Sequence, residues 1–186
     1  MLAACAGEVR ETRAASKPSS GGYPVAEPAR APDFVLRDQQ GRSVRLSSLR
    51  GNVVVLSFLY TNCPDVCPLI ADKMNRVLRQ LGEERNQVRM LAVSVDPRGD
   101  TPRAVRRFVR LHRLLPEFRY LRGPRNALER VWKAYDVTVV PGKPDLVTHA
   151  ASAVLVDPAG KRRFVYAADF RARALLRDVR RVLAAA

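Results

Sequence analysis

Two of the three cysteines in this 186-residue chain lie close together, and thiols are the side chains best suited to binding soft metals or exchanging disulfides. Cys63 and Cys67 fall in the segment from Tyr60 to Pro68, directly after a continuous apolar run. Where a buried strand ends and a helix begins, backbone N–H groups and the helix dipole lower a thiol pKa and favour the thiolate. The segment therefore predicts a reactive dithiol that could hold a metal ion or cycle between dithiol and disulfide.

The four-residue offset between the two cysteines leaves two local geometries open. In a continuous helix, residues i and i+4 lie one turn apart, and both sulfur atoms would face the same side. Pro68 disfavours helical geometry at Cys67, so the alternative is a helix that starts at Pro68, with Cys63 on the preceding turn. Both geometries keep the thiols close. A plain stabilising disulfide is a third interpretation, although so short a loop removes little entropy from the unfolded chain.

A metal site built on two thiolates needs a third ligand, and the chain has two histidines, His112 and His149. His112 follows an arginine-rich helical segment, and we expect it to be a surface residue without a function. His149 comes shortly before an apolar run that begins at Ala153, on a predicted loop that could reach the same sheet edge as the cysteines. From position alone, a role for His149 stays open.

The surrounding sequence alternates between strand and helix signals, which predicts an α/β fold with some antiparallel pairs. Hydrophobic patterning predicts, in chain order, a hairpin at 34–46, a central buried strand at 52–59, a helix at 70–81, a strand at 88–95, helices at 102–115 and 126–135, a hairpin at 153–167 and a terminal helix at 175–183. We expect the segment Asp100-Thr101-Pro102 to open the second helix. Asn126 and Glu129 are expected to form a capping box on the third helix.

Several short motifs occur in a fixed order along the chain: Ala31–Phe34, Leu46–Gly51, Val54–Pro68, Ser94–Pro97, Asp100–Pro102, and His149 followed by Leu155–Gly160. Together they resemble the SCO1/SenC family of copper-binding assembly proteins. The resemblance covers about residues 31–170, nearly the whole predicted domain. It implies a thioredoxin-like fold, a central mixed sheet flanked by helices with an N-terminal β-hairpin extension.

The resemblance also implies that Cys63, Cys67 and His149 are copper ligands. It implies delivery of copper to the binuclear copper site of cytochrome c oxidase subunit II or another copper protein, or reduction of that site's cysteines beforehand. The ligand chemistry agrees, because two thiolates and an imidazole suit Cu(I) and can also hold Cu(II) with added oxygen ligands or solvent.

The chain departs from the family pattern at two positions beside the implied ligands. Many members have His immediately before the first Cys and an acidic residue before the ligand His, whereas this chain has Asn62 and Thr148. A carboxylate that orients the imidazole is therefore not supplied at that position. Asp96 and Asp145 are the substitutes that we consider.

A dithiol on this fold is also compatible with other functions. An extracytoplasmic thiol-disulfide oxidoreductase would use the Cys63/Cys67 pair, although such enzymes usually have two residues between the cysteines and this chain has three. A peroxiredoxin-like or glutathione peroxidase-like enzyme would not need a distant His. A structural zinc site normally requires four protein ligands, and only three are evident.

The formal net charge of +15 is spread along the chain and favours acidic surfaces, such as anionic lipid or an acidic docking protein. We expect no nucleic-acid binding, because the chain has no basic stripe with interleaved aromatic residues. The densest basic run falls on the predicted second helix, where a solvated face is the favoured interpretation: Arg103, Arg106, Arg107, Arg110 and Arg113. We expect the protein to be a monomer.

The first 30 residues predict a tether in front of the folded domain. No run of about 18 apolar residues predicts a membrane span. Residues 1–7 resemble the end of a bacterial lipoprotein signal peptide with its earlier part missing, which makes Cys5 the expected lipidation site. Residues up to about 30 are rich in Ala, Ser, Gly, Pro and charge, as in flexible linkers. We therefore expect a signal remnant and tether at 1–30, a copper-binding domain at 31–186, and lipid anchoring on the extracytoplasmic face of the bacterial membrane.

Overall fold

The computed structural model describes residues 21–139, 147–149 and 153–186, with only the backbone described at 147–149. The strands in these residues are β1 Tyr23–Pro24, β2 Val35–Arg37, β3 Ser43–Arg45, β4 Val53–Leu59, β5 Val88–Ser94, β6 Phe118–Leu121, β7 Val137–Val139, β8 Val147–His149, β9 Ala153–Val156 and β10 Arg162–Tyr166. The α-helices are α1 Val66–Leu81, α2 Pro102–Leu111, α3 Arg125–Ala134 and α4 Ala172–Leu183. No helix within these ranges has both the length and the hydrophobicity to cross a bilayer.

Six strands form one mixed sheet in the order β1-β10-β9-β4-β5-β6. β4 and β5 run parallel from the pair Val53–Val88 to the pair Leu59–Ser94, and β6 is parallel to β5. β9 is antiparallel to β4 on its other side. All of β4 is buried, as expected for a central strand covered on both faces. The carboxyl ends of β4, β5 and β6 therefore lie at one edge of the sheet, where the cysteine segment begins.

Helices flank this sheet, which confirms the predicted thioredoxin-like α/β class. The apolar period predicted for the first helix is buried in α1, which packs against α4 and β5. On α3, the indole of Trp132 donates a hydrogen bond to the carbonyl of Ser94 at 3.0 Å. The ring of Tyr135, just after α3, lies 5.7 Å from that of Phe58. The end of α3 is thereby held beside the carboxyl ends of β4 and β5.

The N-terminal hairpin is confirmed as β2 paired with β3. Strand pairing with the large sheet begins before residue 31, the predicted start of the domain. Tyr23 pairs with Val165 in β10, and the carbonyl of Ala29 accepts a hydrogen bond from Arg162 at 3.0 Å. These bonds join backbone groups of the two segments. Side-chain composition therefore gave no signal of them.

Two local expectations are wrong, and β6 was not expected. Helix α2 ends at Leu111 rather than near residue 115, because Asn75 binds the chain beyond it through the backbone N–H of Leu115 at 3.0 Å. The capping box on α3 is wrong, since Pro124 precedes the helix and Glu129 instead pairs with Arg125 at 2.6 Å. Strand β6 was not predicted, because its four residues are too few to show a period.

Candidate metal centre

Cys63 lies in the turn between β4 and α1, and Cys67 lies in the first turn of α1. The helix begins at Val66, so Pro68 occupies its first turn, where a missing N–H is tolerated. The backbone N–H of Cys67 donates a hydrogen bond to the Cys63 sulfur at 3.4 Å. Both residues are buried free cysteines, 8% and 3% exposed. The structure thus brings the two thiols together as predicted.

The two thiols have opposite ionisation tendencies. Burial would raise the pKa of Cys63, but hydrogen bonds from the backbone at Asp65 and Cys67 and from the side chains of Cys67 and Tyr60 outweigh it and lower this pKa. Burial raises the pKa of Cys67 far above its usual range, and the sulfur of Cys63 and the carboxylate of Asp100 raise it further. A backbone hydrogen bond at Tyr60 opposes this rise without cancelling it. Cys63 is therefore the more readily ionised thiol of the pair.

A buried carboxylate, Asp100, holds the cysteine turn through a hydrogen bond from the backbone of that turn. The sequence did not predict this role. The oxygens of Asp100 accept hydrogen bonds from the backbone N–H of Thr61 at 2.7 Å, the Ser94 hydroxyl at 2.6 Å and the Tyr120 hydroxyl at 3.0 Å. Burial raises the pKa of Asp100, while these hydrogen bonds act against the rise. The sequence signal was present only as the segment Asp100-Thr101-Pro102, in which Thr101 caps α2 as expected.

A cleft of about 370 Å³ opens beside Cys63 at this edge of the sheet. Its walls come from the cysteine turn, the loop after β5 and helix α2: Thr61, Asn62, Cys63, Pro68, Asp96, Gly99, Ala104, Arg107, Phe108, Leu111 and His112. Cys67 does not line it. A larger cavity of about 730 Å³ lies at the opposite end of the sheet, between β1 and the end of α4, and none of the described residues that line it is a cysteine or histidine. Of these two cavities, the Cys63 cleft is therefore the one that gives access to a thiol.

His112, expected on the surface, is half-buried in the wall of this cleft. Its Nδ1 atom lies 3.0 Å from a carboxylate oxygen of Asp72 on α1, and its ring stacks on Phe108 with centroids 4.4 Å apart. These contacts link α2 to α1, which explains the burial. Within the described ranges, no three or more His, Cys, Asp or Glu side chains converge to hold a metal ion.

His149 was expected on a loop and instead ends strand β8, with its backbone opposite Val137 of β7. β7 begins two residues after Tyr135, whose ring contacts Phe58 near the end of β4. The backbone of His149 is therefore joined through β7 to the end of α3, whose Trp132 contacts Ser94 at the carboxyl end of β5. The side chain of His149 lies outside what the structure describes, so its role as a ligand stays a prediction.

The remaining candidate positions divide into described and undescribed ones. Asn62 is exposed at the mouth of the cleft. The Asp96 carboxylate accepts hydrogen bonds from the backbone N–H groups of Arg98 at 3.2 Å and Gly99 at 2.9 Å, and is thus engaged in its own loop. Cys5 and Asp145 lie outside the described residues, and at Thr148 only the backbone is described.

Comparisons with known proteins agree with this geometry. The family model described as SCO1/SenC matches residues 25–184. The copper-bound structure of ScoI from Bradyrhizobium japonicum is similar at 29% identity and a TM-score of 0.70, over 83% of this chain and 99% of that one. A SCO1/SenC family lipoprotein from Bacillus anthracis is similar at 26% identity and a TM-score of 0.73, over 86% and 99%. BsSco, described as a member of the Sco family of cytochrome c oxidase assembly proteins with a disulfide switch, is similar at 28% and 0.72, over 85% and 96%.

Proposed function

Because this chain belongs to the SCO1/SenC family, we propose that it is a copper chaperone that binds one copper ion through Cys63, Cys67 and His149 and assists the metallation of copper proteins. The observation that carries the proposal is the pair of free thiols at the carboxyl edge of the sheet. The backbone pairing of His149 with Val137 of β7, the strand that follows α3, supports His149 as the third ligand. The similar ScoI protein from Bradyrhizobium japonicum is copper-bound. That relative supports copper as the cargo of this chain.

The chemistry of the donor set fits copper. Two thiolates and one imidazole are the soft, few-ligand set that Cu(I) prefers, and added oxygen ligands or solvent would extend the same set to Cu(II). Cys63, with its lowered pKa, is the thiol that ionises first. Cys67, whose pKa is raised by burial, has to lose its proton when the metal binds, so binding should release protons.

The positions of the two thiols suggest an order of ligand exchange. Cys63 lines the open cleft and Cys67 lies behind it at the helix start. An incoming thiolate from a target protein would therefore meet the Cys63 side of the site first and replace the ligands one at a time. The target that we propose is the binuclear copper site of cytochrome c oxidase subunit II, because the similar BsSco protein belongs to a family of cytochrome c oxidase assembly proteins.

The same comparisons support an extracytoplasmic membrane location. One similar protein is a lipoprotein from Bacillus anthracis, and this chain carries Cys5 in a segment that resembles a lipoprotein signal. We propose that Cys5 is lipidated and that about the first 20 residues form a tether to the membrane surface. The tethered part is the domain of residues 31–186 together with residues 23–30, which pair with β10.

A Cu(I) titration of the reduced protein, with a chromophoric chelator as competitor, tests the ligand set. We expect one copper ion per chain, and a loss of affinity of at least about 100-fold for Cys63→Ser, Cys67→Ser and His149→Ala, because a lost ligand should cost more than a lost outer-shell partner. His112→Ala is the matched control, and it should keep the parent affinity. Parent-like copper binding by Cys63→Ser would show that the site assignment is wrong.

A second candidate function, thiol-disulfide reduction, is favoured by the unequal thiols. A lowered pKa at Cys63 beside a protonated Cys67 suits a nucleophile and a resolving thiol. The pair would form a Cys63–Cys67 disulfide while passing two electrons and two protons to a target disulfide. His149→Ala separates the two functions, because it should leave reductase turnover intact and abolish copper delivery.

A further inference from the structure

Helix α2 turns a dense row of positive charge outward. We call the arginine face the four exposed side chains at positions i, i+3, i+4 and i+7 of this helix: Arg103, Arg106, Arg107 and Arg110. The other side of the helix buries Val105 and Phe108 in the core. One side of α2 thus fixes it to the domain, and the other side is free to meet a partner.

The arginine face lacks salt bridges within the part of the chain that the structure describes. Among the described residues, none of its guanidinium groups forms a salt bridge, and α2 contains no acidic residue. Helix α3 differs, since its Arg125 pairs with Glu129 one turn later at 2.6 Å. Like charges three and four residues apart destabilise a helix. An acidic surface placed against α2 would relieve this repulsion.

The arginine face borders the cleft that gives access to Cys63. Arg107 and Leu111 line the cleft together with Cys63. Leu111 is 71% exposed, an unusual degree for a large apolar side chain, and it lies at the end of the arginine face. An exposed apolar side chain next to exposed arginines fits the composition of a protein–protein contact, in which arginine is enriched.

One carboxylate lines the cleft, Asp96, and a second, Asp72, lies behind His112 in its wall. Asp96 accepts hydrogen bonds from the backbone of its own loop, and Asp72 contacts His112. Both carboxylates keep their negative charge, and the four arginines of the arginine face outnumber them on this side of the domain. The charge, the exposed leucine and the access to the thiol all lie on one rim of the domain.

We propose that the arginine face, with Leu111, is the docking surface for an acidic copper protein that exchanges its metal with Cys63. The proposal rests on the proposed function and adds the chemistry of the partner and the place where it binds. A protein suits this surface better than an anionic membrane does, because a lipid surface seated on α2 would cover the cleft through which copper has to pass. Charge complementarity would mainly raise the association rate.

Association with the soluble copper-site domain of cytochrome c oxidase subunit II from the same organism tests the proposal. The whole chain is used in both its apo and its copper-loaded form, and the variant Arg103→Glu/Arg110→Glu removes four charge units without altering a residue that lines the cleft. We expect its association rate constant to fall at least about tenfold at about 20 mM salt, and the difference to shrink at about 500 mM. Leu111→Ala should instead raise the dissociation rate several-fold.

The matched control is Arg30→Glu/Arg181→Glu, which changes the charge equally. The backbone of Arg30 forms a β-bridge with that of Lys161, and Arg181 lines the large cavity, so both lie at the opposite end of the sheet. This control should change the association rate less than about twofold. Equal slowing by the two double variants, or no association of the parent chain in either form, would overturn the proposal.

Two further readouts separate the possible failures. Cu(I) titration of the same preparations reports the proposed function alone, while association of the apo form reports docking without it. Binding to vesicles of phosphatidylcholine and phosphatidylglycerol tests a lipid partner. If Arg103→Glu/Arg110→Glu abolished vesicle binding and left association with the subunit II domain unchanged, the arginine face would be a membrane-binding surface and the docking proposal would be wrong.

Discussion

Replacement of Asp100 by alanine should weaken both the fold and the cysteine turn. The carboxylate accepts hydrogen bonds from the Thr61 backbone at 2.7 Å, the Ser94 hydroxyl at 2.6 Å and the Tyr120 hydroxyl at 3.0 Å. Asp100 is 1% exposed, and Ser94 and Tyr120 are fully buried. Alanine leaves these three donors without their acceptor, in a place that water reaches poorly.

The size of the effect follows from two opposing contributions. A hydrogen bond to a charged acceptor contributes about 1.5–3 kcal/mol, so three would give roughly 4.5–9 kcal/mol if burial of the carboxylate were free of cost. Burial does have a cost, as the raised pKa of Asp100 indicates. We therefore expect Asp100→Ala to lower the free energy of unfolding by about 3–5 kcal/mol. At about 2–4 °C per kcal/mol, the Tm should fall by about 6–20 °C.

Urea unfolding measures the stability change, and Cu(I) competition measures the effect on the site. Thr61 lies two residues before Cys63, so the loss of its acceptor should loosen the turn and lower copper affinity by roughly 10–100-fold. Asp178→Ala is the matched control: this buried carboxylate accepts hydrogen bonds from Tyr166 and Arg177, both at 3.1 Å. It should lower stability and leave copper affinity unchanged.

Either of two results would contradict this role of Asp100. One is a loss of unfolding free energy below about 1 kcal/mol, which would mean that water or neighbouring carbonyls satisfy the three donors. The other is an equal change in copper affinity for Asp100→Ala and Asp178→Ala, which would mean that the affinity follows global stability and not the hydrogen bond to Thr61.

Three further substitutions test the surrounding fold. Thr101→Ala removes the side-chain oxygen that caps α2 through the Ala104 backbone at 3.2 Å, and should cost about 1 kcal/mol in urea unfolding, with Thr101→Ser close to the parent. Gly160→Ala places a side chain at φ +81° and should cost about 1–2 kcal/mol; an unchanged unfolding midpoint would contradict the requirement for glycine there. Burial would raise the pKa of Asp33, but hydrogen bonds from Ser47 and Arg45 outweigh it and lower this pKa. A lowered folded-state pKa stabilises the fold above the unfolded-state value and loses this effect as the pH falls, so Asp33→Asn should lose less stability than the parent between about pH 5 and about pH 3.

Local sequence was enough to predict the main elements and the cysteine pair. β4 and β5 were predictable because strands buried on both faces read as continuous apolar runs, and α1 was predictable from its apolar period. The offset of Cys63 and Cys67 at the end of β4 sufficed to indicate a reactive dithiol. These signals are local, because the residues that produce each of them are neighbours in the chain.

Tertiary structure alone decided which distant groups surround the dithiol and its cleft. Asp100 reaches Thr61 across 39 positions and His112 reaches Asp72 across 40, and no local pattern encodes either contact. The arginines of α2 give the same sequence signal as any solvated helix face, yet packing of the helix on the core places one of them, Arg107, in the wall of the Cys63 cleft. Side-chain hydrogen bonds and strand pairing join residues that are far apart in the chain, so their partners are chosen only when the sheet assembles.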